Sequence, residues 1–232
     1  DSYNDKGQLF HYQETKSETG LGLDVTTITT REAISYNDSG QMSSYIETLD
    51  RDGQAKTQTT RSGITYNTLG QIKYYQDVLT NLEGATDLIT TVAFGYDGVQ
   101  QVLPTYDTKG RLLSYTEYKI EDDNDKTKDL NNDKDTDDLT VSTLTVRESI
   151  AYDPVTGQMT GYTETQAKDN QSTTAIREDI VYNLLGQIKS YTDTITSTLT
   201  PGLTQTITFI ADFPDSYNDK GQLFHYQETK SE

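Results

Sequence analysis

Apolar and polar residues alternate along this chain with a period of two, in short runs broken by clusters of Asn, Asp, Ser and Gly. The run Thr26–Tyr36 (TTITTREAISY) reads as a strand rich in β-branched residues, and Asn37-Asp38-Ser39-Gly40 follows it with turn chemistry. Asn and Asp cap their own backbone there, and the Gly accepts positive φ. Gln41–Leu49 reads as the returning strand, and Asp50–Gln54 (DRDGQ) reverses the chain for the next one. No apolar stripe of helical period persists anywhere, so the pattern predicts hairpin after hairpin and no helix.

The hairpin unit repeats. The motif Y-[N/D]-x-x-G-[Q/R]-[I/L/M]-x-x-Y begins at Tyr3, Tyr36, Tyr66, Tyr106, Tyr182 and Tyr217. A copy at Tyr152 carries one extra residue before Gly157, and GYDG at Gly95–Gly98 is a partial echo. On a longer scale, residues 1–18 (DSYNDKGQLFHYQETKSE) recur unchanged as residues 215–232. The chain 1–232 therefore reads as a single repeat array: one 214-residue period, 1–214, followed by the start of the next copy. Within that period GQM at Gln41–Met42 matches Gln158–Met159, and LGQIK at Leu69–Lys73 matches Leu185–Lys189, which makes two diverged halves of three hairpins each. The main length difference is the acidic insert at Glu121–Asp138, expected to be a peripheral loop because charges this dense repel one another. If the array continues, the residues after Glu232 in the parent protein should begin TGLGLDVTTITT, as they do after Glu18.

Alternation also assigns faces. Met42, Ser44 and Ile46 share one side of the outgoing strand, and Tyr45 and Glu47 the other; Ile188 and Ser190 stand in the same relation to Tyr191 and Asp193. On the incoming strands Ile34 shares a side with Tyr36, Ile64 with Tyr66, Ile150 with Tyr152 and Ile180 with Tyr182. An Arg precedes each of these tyrosines by five residues, at Arg31, Arg61, Arg147 and Arg177, an odd separation that puts it on the face opposite the Tyr. Hairpin pairing brings Arg31 within about a residue of Glu47, and Arg177 of Asp193, which predicts a cross-strand charge ladder at ~0.2–1 kcal/mol per pair.

Composition narrows the function. The chain has 37 acids against 19 bases, a net charge of -18 over 232 residues, which disfavours nucleic-acid backbones and anionic lipid as partners. Cys is absent and His occurs twice, at His11 and His225, which are one repeat position seen in two copies. Disulfide scaffolds, thiolate sites and histidine triads drop out with them, and the chain is read as no enzyme. Hydrophobic residues are 32%, yet 17 Tyr and 39 Thr suit a pleated surface, so the expectation is a thin β protein and not disorder. No run of apolar residues is long enough to insert in a membrane as a helix, and the start at Asp1 without leader or Met reads as an excised or processed piece.

The segment Tyr106-Asp107-Thr108-Lys109-Gly110-Arg111-Leu112 resembles the Y-D-x-x-G-R-L core of YD repeats, the class of the Rhs proteins, toxin-complex shells and teneurins. The other copies are YN-x-x-GQ variants at longer spacing, and the resemblance covers the hairpin cores. It implies a spiralling β-sheet that encloses a shell, with a role in encapsulation or cell-surface structure. Two further site types are expected from the residues. Asp129, Asn131, Asp133, Asp135 and Asp137 offer oxygen ligands at alternate positions, which suits calcium, although Lys134 and Thr140 stand where an EF-type loop needs Gly and Glu. Asn170-Gln171-Ser172 is an N-glycosylation sequon; Asn37-Asp38-Ser39 is another, but Asn37 has turn work to do.

The sequence thus predicts an all-β fold: tandem β-hairpin repeats forming a continuous curved or tubular antiparallel sheet. The leading function is a structural segment of a long secreted or cell-surface repeat protein, an extracellular filament or adhesin stalk whose partners are neighbouring copies of the same repeat. The alternatives are a YD-type β-shell around a toxin or cargo domain and a calcium-dependent surface- or carbohydrate-binding module. No cofactor is expected beyond that calcium.

Overall fold

A computed structural model describes residues 2–20, 23–83, 88–122, 140–213, 216–218 and 221–232. They are all-β: fifteen strands and, among the described residues, no helix. The strands are β1 (Ser2–Tyr3), β2 (Leu9–Gly20), β3 (Leu23–Tyr36), β4 (Met42–Arg51), β5 (Thr57–Tyr66), β6 (Ile72–Asn81), β7 (Ile89–Phe94) and β8 (Thr105–Tyr106). The second set is β9 (Leu112–Asp122), β10 (Val141–Tyr152), β11 (Met159–Lys168), β12 (Gln171–Tyr182), β13 (Ile188–Ser197), β14 (Thr204–Ile210) and β15 (Gln227–Ser231). They form one antiparallel sheet in chain order, with β8 off the main path beside β9. The ladder does not close into a barrel: among the described residues β1 pairs only with β2, and β15 only with β14.

Two compact units divide the chain, residues 1–103 with 117–142 and residues 104–116 with 143–232. The first is built on the hairpins β3–β4 and β5–β6, and the second on β10–β11 and β12–β13. These hairpins close as the sequence predicts. Gly40 N donates to Asn37 O at 2.9 Å and Asn37 N to Gln41 O at 2.8 Å, and Gly40 takes φ +79. The copies at Tyr3, Tyr66, Tyr106, Tyr182 and Tyr217 repeat these two hydrogen bonds, and the copy at Tyr152 closes one residue wider, with Gly157 N on Asp153 O at 3.0 Å. All carry left-handed glycines between φ +74 and +83. A type I turn closed by a left-handed residue matches the right-handed twist of the flanking strands.

The apolar core is as thin as the composition suggests. Ile34, Ile64, Ile150 and Ile180 are buried, each two residues before its leading tyrosine, together with Phe94, Phe209 and two alanines. Burial of one Ile side chain contributes roughly 1.5–3 kcal/mol, so each hairpin carries its own small anchor. Threonines fill much of the remaining pleat; Thr165 and Thr174, directly opposite, share a hydroxyl hydrogen bond at 3.0 Å.

One irregularity was not predicted. Between Glu32 and Ser35 the β3–β4 register shifts, and the same break lies at Ser62/Thr65, Glu148/Ala151 and Glu178/Val181. In each, the residue two after the Arg has positive φ: Ala33 (53°), Gly63 (64°), Ser149 (54°) and Asp179 (54°). These are β-bulges, and they fall between each Arg and its leading tyrosine. A second shift just before each tyrosine undoes the first: Arg31 pairs with Glu47 and Tyr36 with Met42, five apart on β4, so Arg and leading Tyr lie on opposite faces as the odd separation predicts.

Candidate functional site

Each motif turn is an Asx turn held by its own side chains. Asn37 Oδ1 accepts from Ser39 N at 3.0 Å and Gln41 N at 2.9 Å, while its Nδ2 donates to Gln41 Oε1 at 3.1 Å. Asn67 with Gln71, Asn183 with Gln187, and Asn4 with Gln8 repeat the amide pair. Where the pair is Asp107 and Arg111, an ion pair replaces it, with Arg111 Nε 2.7 Å from Asp107 Oδ2. In these copies Asn goes with Gln and Asp with Arg because the two positions, four residues apart, face each other across the turn; in the copy at Tyr152 the extra residue sets Asp153 and Gln158 five apart. The hydrogen bond from Arg111 N, with the Arg111 guanidinium, holds the Asp107 carboxyl below its ordinary range.

The leading tyrosine staples one hairpin to the previous one. Tyr36 Oη donates to Leu9 O at 2.5 Å, Tyr66 Oη to Met42 O at 2.7 Å, Tyr152 Oη to Leu112 O at 2.8 Å, and Tyr182 Oη to Met159 O at 2.9 Å. The acceptor in each case is the [I/L/M] residue of the preceding motif. Burial pushes the Tyr66, Tyr152 and Tyr182 hydroxyls up, so they remain proton donors at neutral pH.

The second tyrosine of each motif builds a row across the strands. The charge ladder forms with direct opposition: Arg31 faces Glu47, Arg61 faces Asp77, Arg147 faces Glu164 and Arg177 faces Asp193. Arg61 Nε lies 2.7 Å from Asp77 Oδ1 and Nη2 2.5 Å from Oδ2, and Arg177 grips Asp193 with the same fork at 2.7 and 2.6 Å. Arg31 and Arg147 instead place Nε and Nη2 on one oxygen of Glu47 and of Glu164.

Each guanidinium is also sandwiched between rings. Arg61 stands 3.9 Å from the Tyr75 centroid and 5.6 Å from Tyr45; Arg31 stands 4.2 Å from Tyr45 and 5.5 Å from Tyr12. In the second unit Arg177 lies 3.7 Å over Tyr191, and Arg147 lies 4.3 Å over Tyr162. Phe94 on Tyr75 and Phe209 on Tyr191 extend the row by stacked rings at 5.2 and 4.8 Å. The planar cation suits both roles at once, a fork on the carboxylate in its plane and rings on its faces. Hydrogen bonding to the carboxylate raises Arg61 and Arg177 further above their usual range, and burial keeps Tyr45, Tyr75 and Tyr191 protonated.

The sequence pointed to the Arg and the acids but not to the stack. Its signal is the acid two residues after the second tyrosine, as in Tyr45-Ile46-Glu47 and Tyr75-Gln76-Asp77, which places ring and carboxylate on one face beside the Arg. Asp129, Asn131, Asp133, Asp135 and Asp137 lie outside the described residues. Among the described residues no group of three acids or histidines is placed to hold a metal. Asn170 sits at the exposed tip of the two-residue turn between β11 and β12, where Lys168 pairs with Gln171. Asn37 has both ends of its amide engaged in the turn. His225 stacks on Phe213 at 4.4 Å. The chain matches no family profile, no curated protein and no solved structure.

Proposed function

We propose that this chain is a structural segment of a long secreted or cell-surface repeat protein, an extracellular filament or adhesin stalk made of near-identical units. The observation that carries the reading is the docking of the second copy of residues 1–18. Tyr217 Oη donates to Ile188 O at 2.6 Å, the same staple that ties Tyr36 to Leu9, and β15 adds to β14 in register. The start of a new unit thus joins the old one by the rule that joins hairpins within it. Each contact in the array is to a neighbour, so units add without a central core. The Arg–Tyr row supports the same role: its cations are held charged and its hydroxyls protonated, which suits a fixed stack and not proton transfer.

The test has two parts. Sequencing of the parent reading frame beyond Glu232 should give TGLGLDVTTITT and further periods. Protease shaving of intact source cells should release peptides of this chain, and antibodies to it should decorate surface filaments in electron micrographs. An unrelated sequence after Glu232, or a chain found only inside the cell, overturns the proposal.

A further inference from the structure

We propose that the face of β11–β14 opposite the Arg–Tyr row binds ice, through threonines that form a two-dimensional lattice of hydroxyls and methyls matched to an ice surface. This function goes beyond the structural role and does not depend on it.

Alternation along each strand builds the lattice. Asp193 and Tyr191 point into the charged row, so Thr192, Thr194 and Thr196 point to the other side of β13. On β14 the residues directly opposite them are Thr208, Thr206 and Thr204. One rank runs unbroken across four strands, from Thr165 to Thr174 to Thr196 to Thr204. In the next rank Ile176 alone interrupts Thr163, Thr194 and Thr206. No register shift falls inside this block, since the one on β12 lies past Glu178.

The lattice is open to a ligand. None of these threonines is buried. Thr165 and Thr174 bond to each other, but no hydrogen bond to the described residues engages the hydroxyls of Thr192, Thr194, Thr196, Thr206 or Thr208. Nor does the fold ask for threonine at these places. The equivalent strands of the first unit carry Ile46, Gln58, Val78 and Ala93 where the second has Thr163, Thr174, Thr194 and Thr208, and they form the same ladder.

Charge and spacing select the occupant. In a chain of net charge -18, Glu178 is the one charged residue on this face of β11–β14, so neither a polyanion nor a polycation is matched. No aromatic ring stands there to stack on a sugar or to anchor a protein. What the face offers is regularity. Neighbouring strands lie about 4.8 Å apart, and alternate residues along a strand about 6.8 Å apart. Oxygens on the prism face of hexagonal ice repeat in two perpendicular directions at nearly this pair of spacings. Water bonded to the hydroxyls is thereby held in the positions of an ice layer, while the methyls fill its gaps. Threonine suits the task because branching at Cβ stiffens χ1, so both groups keep their places and little freedom is lost on binding.

The full chain is tested in a nanolitre osmometer and by slow growth of ice on a cold finger. The unaltered protein should hold a seed crystal faceted and unchanged below its melting point. It should also enter the ice while serum albumin stays in the liquid. Thr194→Tyr/Thr206→Tyr puts two rings in the middle of the lattice and should lose both effects. Thr174→Gln/Thr192→Gln carries the residues found at the equivalent Gln58 and Gln76, so it should keep its β circular dichroism and lose both effects too. That variant decides the matter if the tyrosines disturb folding. Thr173→Tyr, on the charged face, should retain both. A chain that neither shapes ice nor enters it overturns the proposal, as does a folded lattice variant with full activity, or equal loss in Thr173→Tyr. Retention on cellulose or chitin without any effect on ice would assign the face to a neutral polysaccharide, and self-association that the lattice variants abolish would assign it to a second copy. Either result overturns the ice assignment.

Discussion

The Asp77 carboxylate is buried, and the Arg61 fork is what satisfies it there. Arg61→Met should leave that charge in a dry site and destabilise the protein by roughly 2–4 kcal/mol. Arg31→Met should cost less, roughly 1 kcal/mol, because the Glu47 side chain is 29% exposed and water can replace the lost donor. Arg61→Met/Asp77→Leu should recover most of the loss, and a double-mutant cycle on urea unfolding curves measures the coupling. Arg61→Lys should not rescue, since an ammonium neither forks nor stacks. The bulge residues give an opposite prediction. Ala33 holds φ +53 with its side chain exposed, so Ala33→Gly should stabilise by roughly 0.5–1 kcal/mol. Gly63→Ala should destabilise by roughly 1–2 kcal/mol, because φ is +64 and the added Cβ would sit 3.2 Å from the Tyr74 ring. Denaturant midpoints of the two variants check both signs.

Turns led by Asp and turns led by Asn differ in how they respond to acid. Asp97, Asp107 and Asp153 are held below the ordinary value of 3.8, mainly by backbone N–H donors from Gln100, Arg111 and Thr156 respectively. A depressed carboxyl contributes stability that is full above its unfolded value and is lost as pH falls through the folded one. These turns should therefore loosen below about pH 3.8, while the turns led by Asn4, Asn37, Asn67 and Asn183 should not. Hydrogen exchange at the turn amides, corrected for intrinsic rates, should show protection lost at the three Asp turns alone between pH 6 and pH 2.5. Much of this element was legible from sequence, because a turn is a local structure: Asn37 and Gly40 declare it within four residues. The Arg–acid opposition was legible too, since a hairpin of known turn fixes its own register. The bulges were not. Ala33, Ser149 and Asp179 share no residue type with Gly63, and their left-handed backbone is imposed by pairing on both sides. The Arg–Tyr row escaped because its members lie on different strands and meet only across the sheet.

Across the whole chain the same devices recur at a constant offset, from Arg31 to Arg147 and from Arg61 to Arg177. Each touches only its neighbouring strands, so perturbations should stay local and add. The losses from Arg61→Met and Arg177→Met should sum within about 0.5 kcal/mol in the double variant, checked by equilibrium unfolding. A local ladder also frays from its ends, so amide protection should be lowest at β1 and β15, the strands paired on one side. Strand order in the sheet follows strand order in the chain, and this decides how the molecule carries a pull. Tension applied through the two termini reaches an edge strand first and loads its rungs one after another, as a zipper is opened, instead of shearing all of them together. β15 would part from β14 at low force, then β14 from β13, and each freed strand of ten residues would add roughly 33 Å of slack. A ladder opened this way should lengthen in small steps, and each strand that has let go should find its register again when the load is removed.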